Sequence, residues 1–214
     1  DRDVDISVFE ANIRVVGGLL SAHQLASLLH PQRYDGWLLG KAQDLADRLL
    51  PAFSTPTGVP VHRVNLKNGY IHGQTTETCP AAAGTFVMEM GLLSRLTGVS
   101  TYETGAIEAV EALWSRRSPL GLLGAMFDTR TGAWTHRHSG IGAGLDSFFE
   151  YLAKGYLLLE NDRLWDMFEE AYGAIQNQTM WNGWHIEVNM NKGRQNIHSY
   201  YVSGLQAFWP SVQV

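Results

Sequence analysis

Two carboxylates lie near the starts of predicted helices in distant parts of the sequence. Glu10 comes three residues after Ser7, and Asp146 follows the glycine-rich run at 140–144. When a fold brings two such carboxylates together, one can protonate a leaving oxygen while the other activates a water molecule. Glycoside hydrolysis uses this pair. The two residues therefore predict acid–base chemistry at a sugar linkage, provided that the fold places them at one site.

Glu10 has two interpretations that the sequence leaves open. Ser7 and Glu10 have the spacing of a capping box, in which the glutamate satisfies a free backbone amide at the start of a helix. Glu10 and Arg14 are four residues apart and share a helix face. In a pocket, this second arrangement offers a proton donor beside a fixed cation that can bind substrate hydroxyls.

Asp146 and Glu150 form a second pair, one helical turn apart. Helix amides favour an ionised carboxylate in a first turn, which predicts that Asp146 acts as a base or orients water. Two acids on one face normally destabilise a helix. Their presence on one face here indicates a functional site. The alternative is that both acids are solvated on the surface.

The sequence gives little support for a metal site, a nucleotide-binding site or a serine nucleophile. His136 and His138 have no nearby cysteine or acid to complete a zinc site, so no metal ligand set is predicted within this chain. The sequence contains no phosphate-binding loop, dinucleotide fingerprint or serine nucleophile elbow. The single cysteine, Cys79, excludes an internal disulfide but leaves open a bridge to another segment. Asn177 begins a glycosylation sequon, which is typical of a secretory compartment.

The elements that must position the acids are mostly helices that come in pairs. Apolar periodicity predicts helices over 7–29, 37–50, 81–96, 101–115, 145–159 and 163–176, and a further helix from Tyr200 to Phe208. Ser100 is the predicted cap of the fourth helix. Two β-hairpins are predicted, at 121–139 and 184–197, and the stretch 53–80 is predicted to be irregular.

The pairs predict a mainly α fold with an inner and an outer ring of helices. The first helix of each pair is richer in glycine, alanine and apolar residues than the second, as expected for a buried inner ring. Glu10, Glu89 and Asp146 all lie in first helices. In such a toroid the inner helices begin near one open end, where we expect acids from separate helices to converge.

Composition narrows the class of protein. Hydrophobic residues at 45% and charged residues at 17% describe a packed globular protein. The net charge of −5 gives no basic surface, so no nucleic-acid partner is predicted. No apolar run approaches the roughly 18 residues of a membrane-spanning helix. The acidic beginning and apolar end of the sequence both predict a segment of a larger domain.

Two acid-bearing motifs, over 8–23 and 142–152, resemble glycoside hydrolase family 47, the class I α-1,2-mannosidases. The segments 63–67, 77–79 and 203–210 are similar to the ER degradation-enhancing α-mannosidase-like branch of that family. The resemblance runs through nearly the whole chain. It implies a portion of an (α/α)7 barrel with small β-hairpin excursions.

The same resemblance implies an inverting, Ca2+-dependent α-1,2-mannosidase of the endoplasmic reticulum lumen. Its substrates would be the high-mannose N-glycans of misfolded glycoproteins destined for degradation, and a protein disulfide isomerase-type oxidoreductase is a further candidate partner. Glu10 and Asp146 match catalytic positions of the family, and Arg14 and Glu150 match residues that line the mannose site. A non-catalytic, mannose-binding lectin-like receptor and a protein-binding helical scaffold are the alternatives.

Departures from the family pattern qualify these expectations. The family barrel is longer than this chain, so residues 1–214 are expected to form the middle portion of a catalytic domain. A further catalytic glutamate, in an Arg-Pro-Glu context, and the threonine that is the main protein ligand of Ca2+ are absent from the sequence, and both are expected in a C-terminal part. Gly144 stands where the processing mannosidases tend to have arginine, which predicts a different branch preference.

Overall fold

The computed structural model describes residues 3–213, and this part of the chain is mainly helical. The α-helices are α1 (Val8–Glu10), α2 (Gly17–Leu29), α3 (Trp37–Leu49), α4 (Pro80–Gly84), α5 (Val87–Thr97), α6 (Thr101–Trp114), α7 (Asp146–Leu159), α8 (Asp162–Thr179) and α9 (Trp209–Val212). Consecutive helices pack as the pairs α2–α3, α5–α6 and α7–α8. The first helices of the pairs also contact one another, since α5 packs against both α2 and α7. This confirms the predicted arrangement of paired helices in two layers.

The first helical segment begins as predicted. The Ser7 hydroxyl accepts a hydrogen bond from the backbone N–H of Glu10 at 3.3 Å, and helical structure continues to Leu29. The segment Ala11–Val16 is π-helical, which the sequence does not predict. Wide turns of this kind occur frequently at functional sites. This one places the fully buried Asn12 side chain toward the neighbouring helices.

The prediction of one helix over 81–96 is wrong, because the chain forms α4 and α5 with a break at Thr85 and Phe86. Thr85 has φ −89° and ψ 60°, outside the helical range. The break accompanies a close approach of α4 to α7: a Cβ atom on Gly84 would lie 2.5 Å from the ring of Phe148. Such a contact between distant segments leaves no trace in local periodicity.

Both predicted hairpins form, and each gains a strand from elsewhere. The strands β4 (Met126–Asp128) and β5 (Trp134–His136) are joined by β3 (Glu77–Thr78), which lies within the stretch predicted to be irregular. The strands β9 (Glu187–Asn189) and β10 (Gly193–Ser199) are joined by β6 (His138–Ser139). Two smaller antiparallel pairs link β1 (Asp5–Ser7) to β2 (Arg63–Asn65), and β7 (Met180–Trp181) to β8 (Trp184–His185).

One predicted cap and one predicted helix start are wrong, although α6 begins at Thr101 as predicted. Ser100 has helical backbone angles and its side chain makes no capping hydrogen bond at the start of α6. The last helical segment begins at Gly204 instead of Tyr200, first as a 3₁₀-helix over Gly204–Phe208 and then as α9. Ser203 and Gln206 form a reciprocal capping box there, so the helical turn starts where its free amides are satisfied.

The core lies between the two helical layers and continues under the sheets. Its largest fully buried side chains are aromatic: Trp114, Trp209, Tyr102, Phe86, Phe127 and Phe148. These six rings are buried in the core and are not exposed for stacking on a sugar. Within residues 3–213, no helix has both the length and the apolar character needed to cross a bilayer.

Candidate active site

A cavity of about 630 Å³ opens where α1 and α7 begin. Glu10, Arg14, Asp146 and Glu150, the four residues that the sequence singles out, all line it. The spatial prediction, that two helix starts distant in sequence bring their acids to one cleft, is therefore confirmed. The chemical roles of these side chains are predictions that depend on this geometry.

The Glu10 side of the cavity consists of α1 and the π-helical segment. The Glu10 carboxylate forms an ion pair with Nε of Arg14, one turn along the helix. Both side chains are well exposed, at 47% for Glu10 and 72% for Arg14. The backbone N–H of Glu10 is bound by Ser7 while its carboxylate binds Arg14. Only the serine half of the capping box forms: Ser7 caps the helix, whereas the Glu10 carboxylate binds Arg14 at the cavity and no backbone amide among residues 3–213.

The Asp146 side of the cavity consists of α4, α7 and the loop before α7. Asp146 is half-buried, and its Oδ1 accepts a hydrogen bond from the backbone N–H of Ser147 at 2.8 Å. Burial raises the pKa of Asp146; the Ser147 N–H opposes this and the charge of Glu150 reinforces it. The sequence predicted that helix amides would favour the ionised form of Asp146, but the net shift of its pKa is upward because burial has the larger effect. The ionised carboxylate is more basic than a free one, which suits a proton acceptor.

Glu150 has a cation of its own. Nζ of Lys154 lies 2.5 Å from Oε1 of Glu150, one turn further along α7. This positive charge offsets the repulsion between Glu150 and Asp146, which share a helix face. The pair of acids that would destabilise an isolated helix is therefore accommodated locally.

Gly144 lines the same cavity in a backbone conformation that favours glycine. Its φ is +86°, and a Cβ atom there would lie 3.2 Å from the carbonyl oxygen of Ala125. Its own carbonyl accepts a hydrogen bond from the backbone N–H of Ala81 at 2.9 Å. The glycine-rich loop before α7 is therefore held against the start of α4, and no side chain projects from Gly144 into the cavity.

His62 also lines the cavity and was not predicted from the sequence. Pairing of β1 with β2 aligns Ser7 with Arg63, and the backbone N–H of Val8 donates to the carbonyl of His62 at 3.0 Å. Partial burial of the ring lowers the pKa of His62, the charge of Arg63 lowers it further, and Glu10 opposes both. No local signal identifies this residue, because pairing of two short strands distant in sequence places it there.

Cys79 lies at the cavity edge as a free, half-buried thiol. Its Sγ accepts a hydrogen bond from the backbone N–H of Ala82 at 3.4 Å and so caps α4. Burial raises the pKa of the thiol, and the charge of Asp146 adds to this effect. The residue is therefore held as a neutral thiol next to Asp146.

Glu89 does not join the other acids, which corrects the expectation for the inner helices. It lies outside the cavity lining, with Oε2 bound by Nδ2 of Asn12 at 3.0 Å and Oε1 bound by the hydroxyl of Tyr151 at 2.9 Å. Burial raises the pKa of Glu89, and these two donors oppose it. Its carboxylate instead joins the first helical segment to α7 below the cavity.

The described acidic, histidine and cysteine side chains do not form a metal-binding cluster. Across 3–213, no group of three or more histidine, cysteine, aspartate and glutamate side chains is placed to hold a metal ion. The Ca2+ implied by the sequence resemblance thus lacks a carboxylate cage in this part of the chain, where Ca2+ would need six to eight oxygen ligands. His138 instead stacks on His198, with ring centroids 4.7 Å apart. Asn177 of the glycosylation sequon is exposed near the end of α8.

Comparison with known proteins gives consistent matches over the whole chain. The family model described as Glycosyl hydrolase family 47 matches residues 1–214. Alpha-mannosidase I MNS5 of Arabidopsis thaliana is 47% identical over 218 residues, which is 100% of this chain and 38% of that protein. The human ER degradation-enhancing alpha-mannosidase-like protein 2 is 46% identical, again over 100% of this chain and 37% of that protein.

A solved structure shows the same fold. The alpha-1,2-mannosidase from Trichoderma reesei matches with a TM-score of 0.79 and 29% sequence identity, over 90% of this chain and 44% of that chain. The chain thus spans less than half the length of each of these proteins. The paired helices described above correspond to part of a larger α/α barrel, as the sequence resemblance implied.

Proposed function

The chain belongs to glycosyl hydrolase family 47, and from this premise we propose that the intact protein removes terminal α-1,2-linked mannose from high-mannose N-glycans. The observation that supports the proposal is the convergence of Glu10, Arg14, Asp146 and Glu150 on one cavity. The names of the matched relatives and of the matched structure all include a mannosidase. Together they favour hydrolysis of a mannose linkage at this cavity.

The proposed mechanism is inverting hydrolysis. Such a reaction needs one carboxyl group to protonate the leaving oxygen and another to activate water on the opposite face of the sugar. In our proposal Glu10 is the proton donor, and Asp146 accepts a proton from the attacking water or orients it, since burial makes its carboxylate more basic. Arg14 and Glu150 bind sugar hydroxyls. A further catalytic glutamate comes from a part of the intact protein outside these residues.

Calcium dependence is part of the same proposal. Because the described residues contain no cluster of three or more acidic, histidine or cysteine side chains placed to hold a metal ion, we propose that the main protein ligand of Ca2+ comes from elsewhere in the intact protein. Bound Ca2+ would supply a positive charge that fixes sugar hydroxyls. We assign no residue of this chain to it.

The proposed setting is the lumen of the endoplasmic reticulum, where misfolded glycoproteins would be the substrates. Support comes from relatives in human and in Schizosaccharomyces pombe whose names describe ER degradation-enhancing, mannosidase-like proteins. A protein disulfide isomerase-type oxidoreductase is the proposed protein partner. Glycosylation of the exposed Asn177 is proposed for the same compartment.

Gly144 supports a finer proposal about branch choice. Without a side chain at this position, the cavity next to Asp146 stays open, so branches that an arginine would obstruct can enter. In a Gly144→Arg variant we expect the order in which mannose branches are removed to change. A Gly144→Ala variant is the control, because it has the same backbone strain at φ +86° without the long side chain. The same branch order in all three proteins would contradict the proposal.

The central test uses the intact protein with a high-mannose glycan and Ca2+. We expect free mannose to be released by the native protein and its release to be lost in Glu10→Gln, which keeps the size of the side chain but cannot donate the proton. Glu169→Gln, an exposed substitution on α8, is the matched control and should retain activity.

Two other outcomes would replace the proposal. Glycan binding without mannose release, in the native protein as in Glu10→Gln, would support the lectin-like receptor. If the protein neither binds the glycan nor releases mannose, the result would support a protein-binding scaffold. In that case the Glu10 region would serve only as the capped start of a helix.

A further inference from the structure

A hydrogen-bond network below the cavity joins the two segments that carry the cavity acids, and Glu89 on α5 lies at its centre. Oε2 of Glu89 accepts a hydrogen bond from Nδ2 of Asn12 at 3.0 Å, and Oε1 accepts one from the hydroxyl of Tyr151 at 2.9 Å. Asn12 lies two residues after Glu10, and Tyr151 lies five residues after Asp146. One carboxylate therefore receives a donor from each side of the cavity.

On the Glu10 side, the network contacts both ends of a π-helical turn. The carbonyl of Asn12 accepts a hydrogen bond from the backbone N–H of Gly17, five residues further on, as in a π-helix. A Cβ atom on Gly17 would lie 3.4 Å from Cγ of Glu89, so the Glu89 side chain packs on the end of this turn. Nδ2 of Asn12 also donates to the carbonyl of the buried Thr85 at 3.0 Å. Because a π-turn holds one residue more than an α-turn, its loss would rotate Glu10 about the helix axis.

On the Asp146 side, the network reaches α7 through Tyr151. This residue is half-buried, and α7 packs against α5, the helix that carries Glu89. Tyr151 directly follows Glu150, which lines the cavity one turn after Asp146. The hydrogen bond between Tyr151 and Glu89 therefore links α5 to the part of α7 that carries both cavity acids.

Packing alone does not account for a carboxylate at this place. Within residues 3–213, Glu89 forms no ion pair. Burial of an unpaired carboxylate is unfavourable, and an apolar side chain of similar volume would avoid that cost. A carboxylate does, however, offer two acceptor oxygens, which here bind one donor from each of two helical segments. The arrangement is therefore better suited to holding two segments in register than to filling the core.

We propose that Glu89 is a positioning residue, whose carboxylate fixes the segment that carries Glu10 against the helix that begins with Asp146. It acts on the backbone of the first segment, since the Glu10 carboxylate itself is exposed. Glu89, Asn12 and Tyr151 lie outside the cavity lining, so they are not placed to touch a bound sugar. The separation of the two acids decides whether an inverting hydrolase has room for its attacking water. The catalytic consequence rests on the proposed function, whereas the structural part concerns only the two segments.

The first test compares Glu89→Leu with Glu89→Gln in the intact protein. Leucine removes both acceptor oxygens at similar volume. Glutamine keeps both links, because its carbonyl accepts from Asn12 and its amide donates to the hydroxyl oxygen of Tyr151. For Glu89→Leu we expect kcat for mannose release to fall roughly 10- to 100-fold with a smaller change in KM, since a misplacement of about 1 Å can cost about 100-fold.

Glu89→Gln should retain most of the native kcat, because positioning needs the two hydrogen bonds and not the charge. An inactive Glu89→Gln protein that folds would show that the carboxylate itself takes part in the reaction. That result, or an unchanged kcat in Glu89→Leu, would overturn the positioning role.

Two tyrosine variants isolate one arm of the network. Tyr151→Phe removes the donor on α7 and keeps the ring, so kcat should fall about three- to tenfold, the rate equivalent of one net hydrogen bond. Tyr102→Phe is the matched control, because Tyr102 is also helical and its hydroxyl donates to the carboxylate of Asp47, away from the cavity. It should lower stability and leave kcat unchanged. Equal values of kcat in the two variants would contradict the proposal.

A second readout needs no substrate and so separates this inference from the proposed function. Hydrogen exchange, followed by mass spectrometry on the intact protein, reports local opening of the backbone. In Glu89→Leu we expect faster exchange in peptides covering 8–17 and 146–156 than in peptides from α3 and α8, and native exchange in Glu89→Gln. Should the leucine variant fail to fold, Tyr151→Phe should show the same local rise over 146–156.

The pattern of exchange decides the outcome. A rise confined to the two segments supports the inference even if no mannose is released. Unchanged exchange in both segments, or a rise spread evenly over the chain, overturns it even in an active enzyme.

Discussion

The two sides of the cavity hold their acids in different ways. Glu10 is fixed by a single exposed ion pair with Arg14, formed within one helical turn. Asp146 is half-buried and accepts a hydrogen bond from the backbone N–H of Ser147, whose hydroxyl in turn accepts one from Thr85 of another segment. One side therefore depends on local helix geometry, and the other on tertiary packing.

This difference indicates how the site is prepared for chemistry. A carboxylate held by buried donors costs little reorganisation at the moment of reaction, whereas an exposed side chain must be fixed by the substrate or by further protein. We therefore expect the Asp146 side to be rigid before the glycan binds and the Glu10 side to be completed by binding. The predictions below test this contrast.

The largest expected effect is on activity. Asp146→Asn and Glu10→Gln should each reduce mannose release by the intact protein by roughly 100- to 10,000-fold, the usual contribution of a general acid or base. If both act in one transition state, the double variant should be little worse than the more damaging single variant. Losses that multiply in the double variant would show that the two sides act independently.

Two glycine substitutions, one on each side of the cavity, should change the free energy of unfolding in opposite directions. Gly84→Ala places a Cβ atom 2.5 Å from the Phe148 ring, between α4 and α7, and should lower the free energy of unfolding by about 1–3 kcal/mol. Gly18→Ala is the matched control on the Glu10 side, where the new Cβ atom meets nothing within 4 Å. It lies in the exposed part of α2 and should raise stability by about 0.5–1 kcal/mol. Denaturant unfolding measures both, and equal effects would contradict the packing described.

The pH dependence of stability should differ in sign between Asp146 and Asp128. Burial raises the pKa of Asp146, so ionisation opposes folding. That cost is absent below the unfolded pKa of about 3.9 and complete above the folded pKa. Asp146→Asn should therefore raise the free energy of unfolding at neutral pH and have little effect in acid.

Asp128 provides the opposite case. The hydroxyl of Thr76 and the backbone of Thr131 lower the pKa of Asp128 to about 2. Its stabilising contribution is present above the unfolded pKa and is lost as the pH falls through about 2. Asp128→Asn should therefore lower stability at neutral pH. The same sign of change in both variants would contradict the assigned directions.

The smallest effect is expected at the exposed ion pair. Arg14→Gln should change the free energy of unfolding by about 0.5 kcal/mol or less, and added salt should reduce the difference, because the pair is solvent-exposed. Glycan binding should weaken far more than stability. A stability loss above about 1 kcal/mol would mean that the Glu10 side is more tightly packed than its exposure indicates.

Several features could be predicted from the sequence because they depend on neighbours in the chain. Apolar periodicity located the helix pairs, and the Ser7 cap and the Glu10–Arg14 pair follow from spacings of three and four residues. The motifs around Glu10 and Asp146 identified the family, and with it the cavity that these two residues share.

Other features required contacts between distant segments. The break at Thr85 depends on the packing of α4 against α7. His62 reaches the cavity because β1 pairs with β2. Glu89 is kept out of the cavity by its hydrogen bonds to Asn12 and Tyr151. The net pKa direction of Asp146 also reversed the expectation, because burial outweighed the local amide.

The sequence by itself determined which residues have side chains suited to acid–base chemistry and which helices contain them, since side-chain type, periodicity and capping are local properties. Only the tertiary structure decided how each carboxylate is solvated and which buried donors reach it. Desolvation and hydrogen bonding depend on every atom within a few ångströms, and in a folded chain most of those atoms belong to residues far away in sequence.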